Sequence, residues 1–131
     1  MVTRKNNSKI RGKVRITSGE WKNRNLEVPD IDGLRPTSER VRETLFNWLM
    51  PSIHKSVCLD LFAGSGSLGF EALSRGARHC TFVEKSKLAF RQIKTTRTIL
   101  NAMNSEAHNC DAIDFLSSVH NHNFNLVFLD P

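Results

Sequence analysis

Val57-Cys-Leu-Asp-Leu-Phe-Ala-Gly-Ser-Gly-Ser-Leu-Gly-Phe-Glu-Ala-Leu-Ser-Arg75 decides the fold. Its first six residues, apolar but for Asp60, read as a strand that runs into a Gly-rich turn, and Leu68 to Arg75 resumes with helical character. Between them, Gly64-Ser-Gly-Ser-Leu-Gly69 has the spacing of the glycine fingerprint, in which Gly64, Gly66 and Gly69 permit a tight turn and close approach of a nucleotide-like ligand. Glu84 lies 20 residues beyond Gly64, at the end of the next expected strand, where a carboxylate accepts ribose hydroxyls. The other reading of this pattern is a glycine turn at a helix end with a surface glutamate.

Downstream, strand and helix alternate. Cys80 to Val83 reads as strand two, Lys87 to Leu100 as a helix with Leu88, Ile93 and Leu100 on its apolar side, and Ala107 to Cys110 as a weak strand three. A short helix follows over Ile113 to Val119, then strand four over Phe124 to Leu129. Such alternation predicts an α/β fold with a mostly parallel sheet.

Upstream, Leu34-Arg-Pro-Thr-Ser-Glu-Arg-Val-Arg-Glu-Thr-Leu-Phe-Asn-Trp-Leu49 carries a helix start, with Thr37 or Ser38 as N-cap and Glu39 and Glu43 in the early turns. Val41, Leu45, Trp48 and Leu49 form its predicted apolar stripe, and Pro51 its predicted end. Before the Gly33 turn, Val14 to Ile16 and Leu26 to Val28 alternate around a polar stretch and predict a small hairpin. Residues 1 to 9 read as a disordered tail. The domain reading is therefore 1–33 as a basic tail and hairpin extension, and 34–131 as the cofactor-binding unit.

Charge is lopsided. Of the net +6, residues 1–30 hold eight Lys/Arg against Glu20, Glu27 and Asp30, leaving 11 against 10 beyond. A basic arm of this kind points to a polyanion partner through neutralised phosphates, or to a solubilising tail. The candidate RNA contacts are Arg11, Lys13, Arg15, Lys22, Arg24 and Arg35, with Trp21 available to stack a base or to pin the hairpin to the main domain. Cys58, Cys80 and Cys110 are odd in number and too widely spaced for a metal knuckle, so buried reduced thiols are expected and no metal site. No signal peptide or membrane-spanning stretch is read in the sequence.

The ligand class follows from Asp60, at the carboxyl end of strand one. A carboxylate there repels a pyrophosphate but suits the ammonium and sulfonium of S-adenosylmethionine. It can also simply cap the glycine turn. Asp111, with the Ala112 N–H, stands where an adenine amine and ring nitrogen would be read, or where the next helix needs an N-cap. Asp130-Pro131 ends strand four on the ligand rim, as a hold for an exocyclic amine or as a turn.

The segments Leu34 to Leu49 and Cys58 to Gly76 together resemble the bacterial methyltransferases that act on guanine N2 in 16S ribosomal RNA, and the similarity runs from about Val14 to Pro131. It implies a Rossmann-like class I methyltransferase sheet with an N-terminal β-hairpin. Asp60 and the Gly64–Gly69 loop would hold the methionine part of S-adenosylmethionine, Glu84 its ribose, and Asp111 and Ala112 its adenine. The family's Asp-Pro-Pro-Phe/Tyr motif would begin at Asp130 and Pro131, so its second proline, its aromatic and the later strands are expected to be missing. Asn23 replaces a glycine usual in the hairpin, a mild departure because Asn tolerates a left-handed conformation. The resemblance further implies a cytoplasmic monomer acting on 16S RNA or the small subunit. The competing readings are an RNA-binding remnant without catalysis and an NAD-dependent oxidoreductase domain.

Overall fold

The computed structural model describes residues 10–31, 34–118 and 123–131. The expected tail over residues 1 to 9, the Gly33 turn and the end of the last helix at Val119 lie outside the described residues. A two-stranded antiparallel hairpin, β1 (Ile10–Arg15) and β2 (Asn25–Pro29), precedes helix α1 (Glu39–Ile53). Then come β3 (Val57–Asp60), α2 (Ser67–Ser74), β4 (His79–Val83), α3 (Lys87–Leu100), β5 (Ser105–His108), α4 (Ala112–Ser118) and β6 (Leu126–Phe128). The predicted α/β fold with a parallel sheet and an N-terminal hairpin is the fold observed.

The sheet order is β5-β4-β3-β6, all parallel, with Cys58 facing Cys80 on one side and Leu126 on the other. The chain steps outward from β3 to β4 to β5, then returns to the far side of β3. That reversal opens a crevice above the carboxyl ends of β3 and β6, where open α/β sheets take their ligands.

Two clusters of side chains cover the two faces. On one, Phe70, Phe82, Ile93 and Phe128 join Phe46 of α1 and the hairpin's Val14, Ile16, Trp21 and Leu26. On the other, α4 lays Ala112 and Phe115 over Leu59, Leu61 and Val83. Cys58 and Cys80 are buried free thiols, and burial pushes the Cys80 thiol well above its ordinary range. Cys110 is half-buried rather than buried.

Helix α1 departs from its predicted face. Val41 and Trp48 are 57% and 78% exposed, while Arg42, Phe46 and Ile53 point inward and Leu45 and Leu49 are half-buried. Adjacent helical positions differ by about 100°, so burying Arg42 rotates the whole stripe. A hydropathy pattern cannot register a buried arginine. Nor does Pro51 end the helix, which runs on to Ile53. The ring removes one donor near the last turn, and the position it would have served belongs to solvent-exposed Asn47. Ser38 is the N-cap, accepting from the Val41 N–H at 3.2 Å.

Candidate cofactor site at the sheet switch

The crevice is a cleft of about 450 Å³, in the size range of small-molecule sites. Asp60, Glu84, Asp111 and Asp130 all line it, together with Gly64, Ala112 and Pro131. Four carboxylates from four different strand ends thus converge on one opening.

Asp60 is 1% exposed at the last position of β3, and its Oδ2 accepts from the Gly69 N–H at 3.0 Å. That N–H is one of the unpaired donors in the first turn of α2, whose N-cap Gly66 has no side chain to offer. Asp60 therefore caps α2, one of the two readings of this residue, and also lines the cleft. Burial pushes its carboxyl up to about 7; the Gly69 bond opposes this, and the Asp130 and Glu84 charges add to it.

Glu84 follows β4 and uses both oxygens on backbone: Oε1 accepts from Gly64 N–H and Oε2 from Ser86 N–H, each at 2.8 Å. One side chain thereby clamps the β3–α2 loop to the β4–α3 loop. Each oxygen keeps a further lone pair that can accept a hydroxyl. Asp111 caps α4, accepting from Ile113 N–H at 3.0 Å, while its carboxylate lines the cleft. Asp130 receives the Thr37 hydroxyl.

The three glycines divide their work. Gly64 has φ +57° and a Cβ there would lie 2.8 Å from Leu34 Cδ1, so its bareness lets the segment before α1 close over the loop. Gly66 and Gly69 are not among the residues lining the cleft. A Cβ on Gly69 would meet Phe82 Cε1 at 2.3 Å, and one on Gly66 would meet Phe70 at 2.6 Å. Gly69 thus lets α2 pack closely on β4, and Gly66, at φ +85°, takes the turn that starts the helix, the structural parts that the fingerprint asks of its glycines.

On the hairpin, Lys13, Lys22 and Arg24 are exposed. Arg15 is exposed too, but its guanidinium reaches Glu39 at 2.6 Å and Asn23 at 2.6 Å. The Arg11 side chain lies outside the described residues. Arg35 is exposed at the cleft rim. Trp21 does not share the basic face: it is 7% exposed and edge-on to Phe70, so the stacking role is corrected to packing. Asn23 takes φ +71°, the left-handed conformation its glycine replacement required.

A buried ion network was not visible in the sequence. Glu71, fully buried on α2, accepts from Thr17 N–H at 3.0 Å, Thr17 Oγ1 at 2.8 Å, Arg42 Nε at 3.3 Å and Arg75 Nε at 2.8 Å. Arg42 also donates to the Arg15 carbonyl. Its only trace in the sequence is a lone carboxylate in an otherwise apolar helix.

The model of the family described as conserved hypothetical protein 95 matches residues 14–131. The chain belongs to this family. Among relatives, ribosomal RNA small subunit methyltransferase D of Haemophilus influenzae is 52% identical over 124 residues, 92% of this chain and 64% of that protein. The Escherichia coli K12 protein of the same name is 48% identical over 120 residues, 92% of this chain and 60% of its own. A solved structure of a putative methyltransferase from Escherichia coli superposes with a TM-score of 0.84 at 48% identity, covering 92% of this chain and 65% of that one. The chain thus spans somewhat under two thirds of these relatives, and the part matched by the family includes all four cleft carboxylates.

Proposed function

We propose that this family member binds S-adenosylmethionine in the cleft and methylates the exocyclic N2 of a guanine in 16S ribosomal RNA. The observation that carries the reading is the ring of carboxylates around a buried, cleft-facing Asp60. Anionic walls in a partly dry crevice favour a cationic ligand and disfavour a pyrophosphate, which weighs against the NAD reading. The names of the relatives support RNA methylation, Asp130-Pro131 suits an exocyclic amine, and the choice of guanine N2 rests on the resemblance to the 16S guanine-N2 methyltransferases.

When bound, S-adenosylmethionine supplies an electrophilic methyl group on a sulfonium. Asp60 attracts the ammonium end, Glu84 accepts the ribose hydroxyls, and Asp111 with the Ala112 N–H reads the adenine. Asp130 and the Pro131 carbonyl accept hydrogen bonds from the target amine, turning its lone pair toward the cleft. Positioning and electrostatics do this work without a covalent enzyme intermediate. Residues 34–131 serve as the cofactor-binding unit and 1–33 as the RNA-contacting extension. The substrate, free 16S RNA or the assembling small subunit, places the monomeric protein in the cytoplasm.

The test is incubation with undermethylated small-subunit RNA and methyl-labelled cofactor, followed by digestion to nucleosides. Label in N2-methylguanosine is expected. Label on adenine N6, cytosine N4, a ring nitrogen, a base carbon or ribose would sink the N2 reading, and calorimetric binding of NAD in place of S-adenosylmethionine would sink the cofactor.

The basic hairpin carries a second expectation. Replacing Lys13, Lys22 and Arg24 together by Gln should reduce the slope of log affinity against log salt by about 2–3, near 0.7–0.9 for each phosphate no longer neutralised. Substitution is the right probe because deleting the hairpin would strip Val14, Ile16, Trp21 and Leu26 from the core. An unchanged slope would make these charges solubilising only.

A further inference from the structure

The segment 34–38 crosses the cleft and is fastened at both ends. Leu34 rests on bare Gly64, and Thr37 Oγ1 donates to Asp130 Oδ2. Directly after it, Ser38 caps α1, and Glu39 in the first turn takes a two-pronged contact from Arg15 at 3.2 and 2.6 Å. Pro36 fixes its own φ and biases Arg35 toward extended backbone, so Thr37 is delivered to Asp130 by a stretch with little freedom.

The χ2 torsion of an aspartate is broad and roughly two-fold, so a carboxylate at the exposed end of a strand can present either oxygen in many planes. A hydroxyl bound to one oxygen removes that choice. We propose that Thr37 is a positioning residue for methyl transfer: its hydroxyl occupies Asp130 Oδ2 and leaves Oδ1 to accept the target amine along one direction. This rests on the reading of Asp130 as the amine acceptor. Because the same segment is tied to Arg15 through Glu39, the acceptor is aligned with the basic hairpin as well as with the glycine loop.

The discriminating pair is Thr37→Val, which keeps the shape and loses the hydroxyl, and Thr37→Ser, which keeps the hydroxyl. In the free protein labelled with ¹³C-aspartate and ¹³C-glutamate, the Asp130 Cγ resonance should move in Thr37→Val and return in Thr37→Ser, with the Asp60 and Glu84 carboxyl signals unmoved. In methyl transfer to undermethylated small-subunit RNA, kcat should fall about tenfold or more in the valine variant while KM for RNA stays within about twofold. The Kd for S-adenosylhomocysteine should stay within about twofold too, and the serine variant should recover to within about threefold of the parent kcat. An Asp130 signal indifferent to the valine change, a serine variant as slow as valine, or a loss carried entirely by KM or cofactor Kd would each overturn the proposal. Asp130→Ala, which removes both oxygens, separates the two levels of argument: if it leaves the rate unchanged, the acceptor reading falls, whereas an inactive Asp130→Ala beside a fully active Thr37→Val overturns only the role of Thr37.

Discussion

Glu71→Ala is expected to destabilise the fold by about 3–5 kcal/mol, the usual scale for removing one member of a buried, hydrogen-bonded ion network. The carboxylate is fully buried and receives Arg42, itself 1% exposed, and Arg75, along with both donors of Thr17. Arg42 Nη1 is already buried without a partner, so the guanidinium has no slack with which to absorb the loss. Removing Glu71 leaves two cations facing each other in a low-dielectric region. It also leaves the Thr17 N–H unpaired where the hairpin meets α2, at a further desolvation cost. Glu71→Gln should be damaging as well, because its amide adds donors where only donors converge. Urea unfolding reads the effect as a drop in midpoint at constant slope. A loss below about 1 kcal/mol would mean that water reaches the network and that the hairpin is held without it.

The second large effect is a dependence of stability on pH through Asp60. Its folded carboxyl titrates at about 7 against an ordinary value of 3.8. Between those values the unfolded chain releases a proton that the folded chain retains. Protons bound to the folded state exceed those bound to the unfolded, so stability falls as pH rises through this window and levels off above it. The gap corresponds to roughly 4 kcal/mol at most, at about 1.4 kcal/mol per pH unit. Asp60→Asn keeps an oxygen for Gly69 N–H without the charge. Its stability relative to the parent should therefore climb from about pH 4 to pH 7 and then stay constant. A difference independent of pH would show that Asp60 is ionised throughout, with a cation or water compensating it. On the proposed reading of the cleft, the same carboxyl would make cofactor binding proton-linked. A cationic ligand favours the ionised form, so affinity should strengthen as pH rises toward 7. Below that, binding should release a proton, visible in calorimetry as a heat that varies with the buffer.

Most strands, the two longer helices of the sheet and the fingerprint were legible because each depends on local pattern, while the weakly apolar third strand lies at Ser105–His108, two residues before the expected Ala107 to Cys110. The helix predicted over Lys87 to Leu100 has those bounds, and the glycine loop sits between β3 and α2 as its spacing required. The hairpin was legible in outline from its alternation, although β1 and β2 extend beyond the predicted runs. What local pattern could not carry was partnership at a distance. Arg42 is inside because Glu71 lies 29 residues away, and Trp21 is inside because Phe70 waits for it. Thr37 reads as a possible helix cap, and only the return of β6 beside β3 brings Asp130 to its hydroxyl. The four carboxylates were each found from their strand ends. Capping was among the readings for Asp60 and Asp111, and the hydrogen bonds bear it out, whereas the clamp that Glu84 makes on the backbone of two loops had no sequence signal.

Helix α2 joins two attachments. Its first turn is tied to the end of β3 through Gly69 and Asp60, and its last residue, Ser74, takes Trp21 N–H and Glu20 N–H while giving its hydroxyl to Ser18. Eight residues at 1.5 Å rise make a strut of about 12 Å whose two ends are also fixed in angle. One inserted or deleted residue would turn everything beyond it by about 100°, swinging Glu71 or Ser74 out of register with the hairpin while the loop stayed in place. The helix is therefore a spacer of set length and phase, and a change of length between Gly69 and Ser74 would break one attachment or the other.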